Sequence, residues 1–191
     1  MGKSHSLRGK LAALLLAFGG LPFSALAAGN FSLSSPDVSD GGTIAAAQVY
    51  SHYGCGGRNV SPALEWHGAP ADTRSYAVTV FDPDARAGKG WWHWLIFNIP
   101  ADARSLPADA GDIGAAVAPE GSMQSVSNFD EPGYGGPCPP KGEPPHHYVF
   151  TIYALNVEHL PLTPTSHPEA VRDALEAHAL GKASFTALYG R

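Results

Sequence analysis

Three runs of apolar residues stand out along the chain as candidate strands. They lie at Ser75–Asp82, Trp91–Ile99 and His147–Val157, and each is rich in β-branched and aromatic residues. Strands with two apolar faces are usually covered on both sides. The pattern therefore predicts three central strands of a sandwich, and weaker strands are predicted at Thr43–Val49 and Ala63–His67.

An amphipathic helix is predicted near the C-terminus. Ser166 and Glu169 have the spacing of the N-cap and N3 residues in a capping box. Apolar residues then recur at helical spacing as far as Gly181, which is a candidate for the end of the helix. We expect this helix to lie over an edge or a face of the sheet.

Glycine and proline separate the apolar runs, as turns between strands would. The chain has 22 Gly and 17 Pro, with no internal repeat and no change in composition that would mark a second domain. Residues 111–145 form the longest stretch without periodicity. A loop of this length in a compact domain is usually functional or disordered. The pattern as a whole predicts a mainly β fold with one long loop.

The first 27 residues have the layout of a secretory signal peptide. A basic start precedes the apolar run Leu11–Phe23, and a small-x-small site ends at Ala27, after which we expect cleavage. A membrane anchor is the alternative, but the run is short for a span and is interrupted by glycine and proline. The sequence therefore predicts a periplasmic or secreted protein with its folded domain in residues 28–191 and no transmembrane span in the mature chain.

The net charge narrows the range of partners. The formal charge of the whole chain is −5; without residues 1–27, nine basic residues would face 17 acidic ones, a formal charge of −8. An acidic domain lacks the electrostatic footprint of a nucleic-acid-binding protein. It is not attracted to an anionic lipid surface either. Any anion that it binds must therefore be held by a local site.

The chain contains two cysteines, Cys55 and Cys138. In an oxidising compartment such a pair favours one disulfide. Two buried thiols or a metal-binding pair are the alternatives, and the spacing alone does not decide between them.

Polar residues at the ends of the central strands form a candidate site. A hairpin that pairs Asp82 with His93 also pairs Val80 with Leu95 and keeps the deeper pairs apolar. In this register Asp82 would accept a hydrogen bond from one imidazole nitrogen and direct the other nitrogen outward. The pattern predicts an oriented histidine at the end of the sheet.

A second polar pair lies at the start of the third strand. His146 and Tyr148 are two residues apart and therefore project from the same face. The Gly- and Pro-rich segment 133–145 precedes them, and rigid loops of this kind can direct backbone N–H groups at an anion. Each feature taken singly is more often structural, but together they predict a binding site.

Several motifs resemble the phosphatidylethanolamine-binding protein family, which includes the Raf kinase inhibitor proteins. They are DPDA from Asp82, WWHW from Trp91, GGPCPPKG from Gly135 and HHYVFTIYAL from His146, while GCGGRNVSPALEW from Gly54 resembles the bacterial branch. These motifs occur in order and span nearly all of the expected mature chain. The resemblance implies a β-sandwich of antiparallel sheets with a few short helices, including one near the C-terminus.

The resemblance also implies a small pocket for phosphate, acetate or a phospholipid head group. By motif, the residues that line it would be Asp82, Asp84, His93, Cys138, His146 and Tyr148. Cys138 stands where eukaryotic members have Gly, so a disulfide to Cys55 would stiffen the pocket wall. Arg86 stands where the family often has Pro, a change that would either loosen the turn or add a cation near the pocket mouth. His147 replaces an Arg of the eukaryotic pattern, and Tyr189 is a candidate for the family's C-terminal tyrosine.

Three functions are compatible with these features. The first is a non-catalytic binding protein for a phosphorylated or carboxylated small molecule, without a cofactor or resident metal, that binds more strongly at mildly acid pH because of its histidines. The second is an inhibitor or regulator of a protein partner, as some family members inhibit kinases or serine carboxypeptidases. The third is a metal-dependent hydrolase that uses Asp82, His93 and His146, although GxSxG and HExxH motifs are absent.

Overall fold

The computed structural model describes residues 1–3 and 30–191, so the apolar run before Ala27 and the expected cleavage site lie outside the described residues. The elements are β1 (Ser32–Ser34), β2 (Leu64–His67), β3 (Ser75–Asp82), α1 (Ala85–Gly88), β4 (Trp91–Pro100), β5 (Ser105–Leu106), β6 (Met123–Gln124), β7 (His146–Leu155), α2 (Pro168–His178) and β8 (Ala179–Tyr189). None of the helices in this described part has the length and hydropathy needed to cross a bilayer.

The strands form two antiparallel sheets. The larger sheet has the order β6-β4-β3-β7-β8, and the smaller has the order β1-β2-β5. Side chains of the small sheet, such as Leu64 and Trp66, share one core with Val78, Val80 and other residues of the large sheet. This arrangement confirms the predicted mainly β fold of antiparallel sheets.

The opposite face of the large sheet is covered by α2. Val171 and Leu175 of the helix are fully buried against Ala77, Leu95 and Phe97 of the sheet. The central strands are therefore covered on both faces, as their apolar runs predict. The helix lies over the face of the sheet.

A β-bulge in β4 overturns the predicted register of the β3–β4 hairpin. Val80 pairs with Trp94 and Asp82 pairs with Trp91, so His93 is an extra residue opposite the gap between Val80 and Phe81. A bulge places two residues of one strand opposite one residue of the other and re-aims their side chains. The predicted pairs of Asp82 with His93 and of Val80 with Leu95 are therefore wrong.

The bulge changes which side chains share a face. The rings of His93 and Trp94, although consecutive, pack against Tyr148 and Tyr134 respectively, and both tyrosines belong to the core between the sheets. Leu95 lies on the other face, under α2. His93 thus reaches the inner face only because the strand contains one additional residue.

The end of the chain differs most from the prediction. The helix begins after His167, which has an extended backbone, and ends at His178. The predicted N-cap and the predicted end at Gly181 are therefore wrong, and Gly181 lies inside β8, which pairs with β7 along its whole length. The strand predicted at Thr43–Val49 is also wrong, since that segment forms one bridge, from Thr43 to Leu188, followed by turns.

Candidate functional site

A cavity of about 510 Å³ opens where the end of β3 meets the beginnings of β4 and β7. Of the six residues that the sequence predicts for the site, five line this cavity. They are Asp82, His93, Cys138, His146 and Tyr148.

Asp82 provides a buried carboxylate that is already hydrogen-bonded. The residue is 2% exposed. Its Oδ1 accepts from the backbone N–H groups of Asp84 and Ala85 at 2.9 and 3.1 Å, and its Oδ2 accepts from Nδ1 of His146 at 2.8 Å. The first two bonds are typical of a turn in which an aspartate side chain accepts from the backbone N–H groups two and three residues later. A charge this deep requires such partners.

His146 lies between two carboxylates. Its Nδ1 donates to Asp82, and its Nε2 donates to Oε2 of Glu143 at 3.1 Å. Burial alone would lower the pKa of His146, but the hydrogen bonds to both carboxylates outweigh burial and raise this pKa above its ordinary value. Of the two buried histidines, His146 is therefore the one whose positively charged form the cavity favours.

His93 is oriented by a backbone carbonyl. Its Nδ1 donates to the carbonyl oxygen of Gly135 at 2.6 Å, whereas its Nε2 lies 4.0 Å from Oδ2 of Asp82. Burial lowers the pKa of His93 to about 4, so the ring is neutral at pH 7 with Nε2 as an acceptor. The predicted hydrogen bond from His93 to Asp82 is replaced by the bond from His146.

Tyr148 contributes a buried hydroxyl group. The residue is 1% exposed, and its ring centroid lies 5.1 Å from that of His93. Its Oη makes no hydrogen bond of ordinary geometry among the described residues, and burial, followed by the nearby carboxylate of Asp82, raises its pKa. Leaving a buried hydroxyl unpaired costs about 1–3 kcal/mol. The cavity lining contains two buried polar atoms without a hydrogen-bond partner among the described residues, this hydroxyl and the indole Nε1 of Trp91.

Two arginines line the outer part of the cavity. The guanidinium of Arg86 lies 5.7 Å from the ring centroid of Trp91, within cation–π distance. Arg191 donates from Nε to the carbonyl of Pro139 and from Nη1 to that of Gly54. The sequence suggested the role of Arg86, whereas Arg191 was missed because its position depends on the undetected strand β8.

Phe129 is a further lining residue that sequence reasoning missed. Its ring makes edge contacts with Trp91 and His93 and stacks on Tyr50 with ring centroids 4.5 Å apart. It lies in the long aperiodic segment 111–145, where no repeat indicates which side chains face inward. Part of that segment thus forms a wall of the cavity.

Asp84 and His147 form an exposed pair outside the lining of the cavity. Oδ2 of Asp84 accepts from the backbone N–H and from Nδ1 of His147 at 2.7 and 2.8 Å. Burial would raise the pKa of Asp84, but these hydrogen bonds lower it overall. Asp84 therefore connects β7 to the turn after β3.

Tyr189, the candidate for the family's C-terminal tyrosine, also lies outside the lining of the cavity, opposite His146 in the strand register.

A disulfide joins Cys55 to Cys138, with 5.7 Å between their Cα atoms. This confirms the favoured pairing over free thiols or a metal-binding pair. Cys138 and Pro139 line the cavity, and Arg191 bonds both to Pro139 and to Gly54, the neighbour of Cys55. The disulfide and the arginine therefore hold the same two loops together at the cavity wall.

The metal-dependent alternative gains no geometric support from the part of the chain that the structure describes. No group of three or more His, Cys, Asp or Glu side chains there is arranged to hold a metal ion. The reason is local: Nδ1 of His146 is directed at Asp82, and Nδ1 of His93 is directed at a carbonyl.

The sequence is similar to two proteins of Escherichia coli strain K12. It is 43% identical to the UPF0098 protein YbcL over 175 residues, which is 92% of this chain and 94% of YbcL. It is 41% identical to the UPF0098 protein YbhB over 157 residues, which is 82% of this chain and 98% of YbhB.

Solved structures show the same fold. The crystal structure of E. coli YbcL, described as a new member of the mammalian PEBP family, covers 84% of this chain with a TM-score of 0.82 and 42% identity, and 98% of YbcL is matched. A PEBP homologue from Chlamydia trachomatis, CT736, matches with a TM-score of 0.70 and 26% identity over 84% of this chain and 97% of its own. Residues 34–190 match the phosphatidylethanolamine-binding protein family as a whole. Sequence, motifs and fold agree, and the chain belongs to the phosphatidylethanolamine-binding protein family.

Proposed function

We propose that this protein binds a small phosphorylated anion, such as a phosphomonoester or a phospholipid head group, in the cavity at the end of β3. The observation that carries this proposal is the unpartnered hydroxyl of Tyr148, which is buried beside His93. A phosphate oxygen is a strong acceptor and would satisfy that donor. The acceptor nitrogen of neutral His93 would suit a protonated phosphate oxygen.

The charges around the cavity support an anionic ligand. His146, Arg86 and Arg191 face two lining carboxylates, Asp82 and Glu143. With His146 protonated, these five groups have a formal charge of +1, although the chain as a whole is acidic. The two arginines lie toward the outside, where they would meet the ligand first.

We propose that the protein binds its ligand without catalysing a reaction on it. The lining contains no serine or threonine, and its cysteine is part of a disulfide. An activated hydroxyl or thiol nucleophile is therefore missing from the described lining.

Export of the protein, with removal of residues 1–27, belongs to the same proposal. The disulfide supports this because such bonds persist in oxidising compartments.

The test is an NMR titration with inorganic phosphate and with phosphoethanolamine on the wild-type protein, Tyr148→Phe and Tyr153→Phe. Tyr153 is the matched control, since it lies on the same strand but on the face covered by α2. We expect saturable shifts at His93, His146 and Tyr148 in the wild-type protein. Tyr148→Phe should weaken the binding by about 10- to 100-fold, since a hydrogen bond to a charged group contributes roughly 1.5–3 kcal/mol.

Absence of shifts at these residues with either ligand would refute the proposal and direct the search to protein partners. Equal affinity in Tyr148→Phe and Tyr153→Phe would refute the role of the Tyr148 hydroxyl. Comparison of the two ligands tests whether the amino group of the head group adds to the affinity.

A further inference from the structure

The turn between β3 and β4 has a strained backbone at the edge of the cavity. Arg86 has φ 54° and ψ 44°, and Ala87 has φ 56° and ψ 44°; both residues line the cavity. Chirality makes this left-handed region costly for every residue except glycine, and other residues normally enter it singly. Two such residues in succession, followed by Gly88 at φ 82°, make α1 a left-handed turn.

The departure of this chain from the family motif permits the turn. Proline, which the family often has at position 86, is fixed at a φ of about −65°. It could not adopt the φ of 54° that Arg86 has. The left-handed turn is therefore a feature of this chain and not of the family pattern.

The contacts within the turn do not offset its strain. Of its three backbone hydrogen bonds, two are 3.4 Å long, and only the bond from Gly90 to the carbonyl of Ala85 has an ordinary length, 3.0 Å. The guanidinium of exposed Arg86 lies 5.7 Å from the ring centroid of Trp91. Such an exposed cation–π contact contributes less than one left-handed residue costs. Strain that local contacts do not offset is typical of functional sites.

Only the tip of the turn is free to move. Its base is fixed because Asp82 accepts from the backbone N–H groups of Asp84 and Ala85, and because the carboxylate of Asp84 is bound to β7. The tip, residues 86–89, is exposed. A Cβ atom built at Gly88 would meet nothing within 4 Å, so no packing opposes a movement there.

Another part of the cavity wall is fixed in place. The loops that carry Cys138 and Gly54 are joined by the disulfide and by the two hydrogen bonds of Arg191. Tyr53, which is 76% exposed, lines the cavity from the same cross-linked loops. The β3–β4 turn has no such cross-link at its tip. A change in the opening of the cavity is therefore expected to come from this turn.

We infer that residues 86–88 form a lid that closes over an anion in the cavity. Arg86 leaves the ring of Trp91 and pairs with the anion, while the backbone of the lid returns to a right-handed conformation. A charge-assisted pair with a phosphate oxygen is stronger than the exposed cation–π contact that it replaces. The strain released on closure adds to the affinity, because it is present only in the ligand-free state. This inference rests on the proposed function.

An NMR titration with inorganic phosphate tests the role of Arg86. In the wild-type protein we expect the indole N–H signal of Trp91 and the amide signals of the lid to follow the same binding curve as His93. Arg86→Gln should weaken phosphate binding about tenfold, because it removes a charge-assisted pair. Lys89→Gln is the matched control, since Lys89 is an exposed cation on the same turn that does not line the cavity. It should bind phosphate as the wild-type protein does.

A second pair of variants tests the release of strain. Ala87→Gly relieves the strain of the open lid, so it should raise the urea midpoint of the ligand-free protein and weaken phosphate binding roughly fivefold. Ala116→Gly is the matched control, because Ala116 is also exposed, has a φ of 52° and does not line the cavity. It should raise the urea midpoint similarly and leave the phosphate affinity unchanged.

The outcomes separate the lid from the binding site. Absence of phosphate-induced shifts at His93 and Tyr148 would overturn both the proposed function and the lid. Normal shifts at these two residues, with no response of Trp91 or of the lid, would overturn the lid alone. Equal phosphate affinity in Arg86→Gln and Lys89→Gln, or in Ala87→Gly and Ala116→Gly, would do the same.

Discussion

At the scale of single residues, the hydroxyl of Tyr148 connects stability with binding. In the free protein this buried group has no partner among the described residues. We therefore predict that Tyr148→Phe raises the free energy of unfolding of the ligand-free protein by up to about 1 kcal/mol, although it weakens phosphate binding. Urea unfolding without phosphate measures this. A loss of stability as large as that in a core truncation would mean that the hydroxyl has an unrecognised partner.

The two buried histidines predict opposite pH dependences: ligand affinity should fall with rising pH through His146, and stability should fall with decreasing pH through His93. The proposed anion binding would depend on the charged form of His146, whose pKa is raised by its carboxylate partners. Affinity should therefore be highest below that pKa and fall as the pH rises through it, above about 6.5. Sulfate is the appropriate probe, since its charge does not change over this range. His146→Gln should bind sulfate about tenfold more weakly at pH 6 and show no pH dependence between pH 6 and 9.

His93 affects stability on the acid side. Its pKa falls from about 6.5 in the unfolded chain to about 4 in the folded protein because of burial. The neutral form therefore stabilises the fold above pH 6.5, and this contribution, of the order of 3 kcal/mol, is lost as the pH falls from 6.5 to 4. Urea unfolding at pH 7, 5.5 and 4.5 tests it. His93→Asn should show a shallower loss over this interval, and an identical loss would contradict the assignment.

At the scale of elements, the loop before β7 determines where the cavity wall lies. A Cβ atom built at Gly136 would come within 2.0 Å of the carbonyl oxygen of Gln48, a backbone atom that cannot move aside cheaply. Gly135, the preceding residue, supplies the carbonyl that orients His93. We predict that Gly136→Ala destabilises the fold by about 2–4 kcal/mol and also weakens phosphate binding. Gly114→Ala, where a Cβ would approach only a flexible side chain, is the control and should stay within about 0.5 kcal/mol.

At the scale of the whole molecule, the disulfide ties together parts of the chain that are 83 residues apart. On the chain-entropy account, closing such a loop stabilises by roughly 4 kcal/mol. We predict that the Cys55→Ser and Cys138→Ser double variant loses stability of this order and that its phosphate affinity falls, since Cys138 lines the cavity. Unfolding and titration of the same variant measure both. Unchanged affinity would mean that Arg191 alone holds the wall in place.

The sequence predicts the fold well where the apolar pattern is unambiguous. Ser75–Asp82 is a strand with the predicted bounds because its β-branched residues require cover on both faces. β8 escaped detection because it is an edge strand whose exposed and half-buried residues resemble the end of a helix pattern. Its partnership with β7 is a tertiary effect that the local sequence does not specify.

The sequence predicted most of the residues that line the cavity, except Asp84, but not the geometry in which they meet. Spacing alone places His146 and Tyr148 on one face of β7, and both line the cavity. The bulge at His93 leaves no mark in the sequence, because Trp94 and Leu95 are both apolar and both faces of the sheet are covered, so either register would bury both side chains. Phe129 and Arg191 reach the cavity through long-range contacts, which no local pattern encodes.

The extra residue in β4 also bears on how such a site can arise or disappear. Excision of His93 would bring Trp92 and Trp94 into consecutive positions, facing Phe81 and Val80 in a regular ladder. Trp92 already packs on the helix side and Trp94 on the inner side, so the shortened strand would alternate correctly. A single codon deletion would therefore keep the alternation of the strand while removing both the imidazole and the carbonyl that accepts from the backbone N–H of Gly135. Conversely, one inserted codon in a plain hairpin is a short evolutionary route to a pocket.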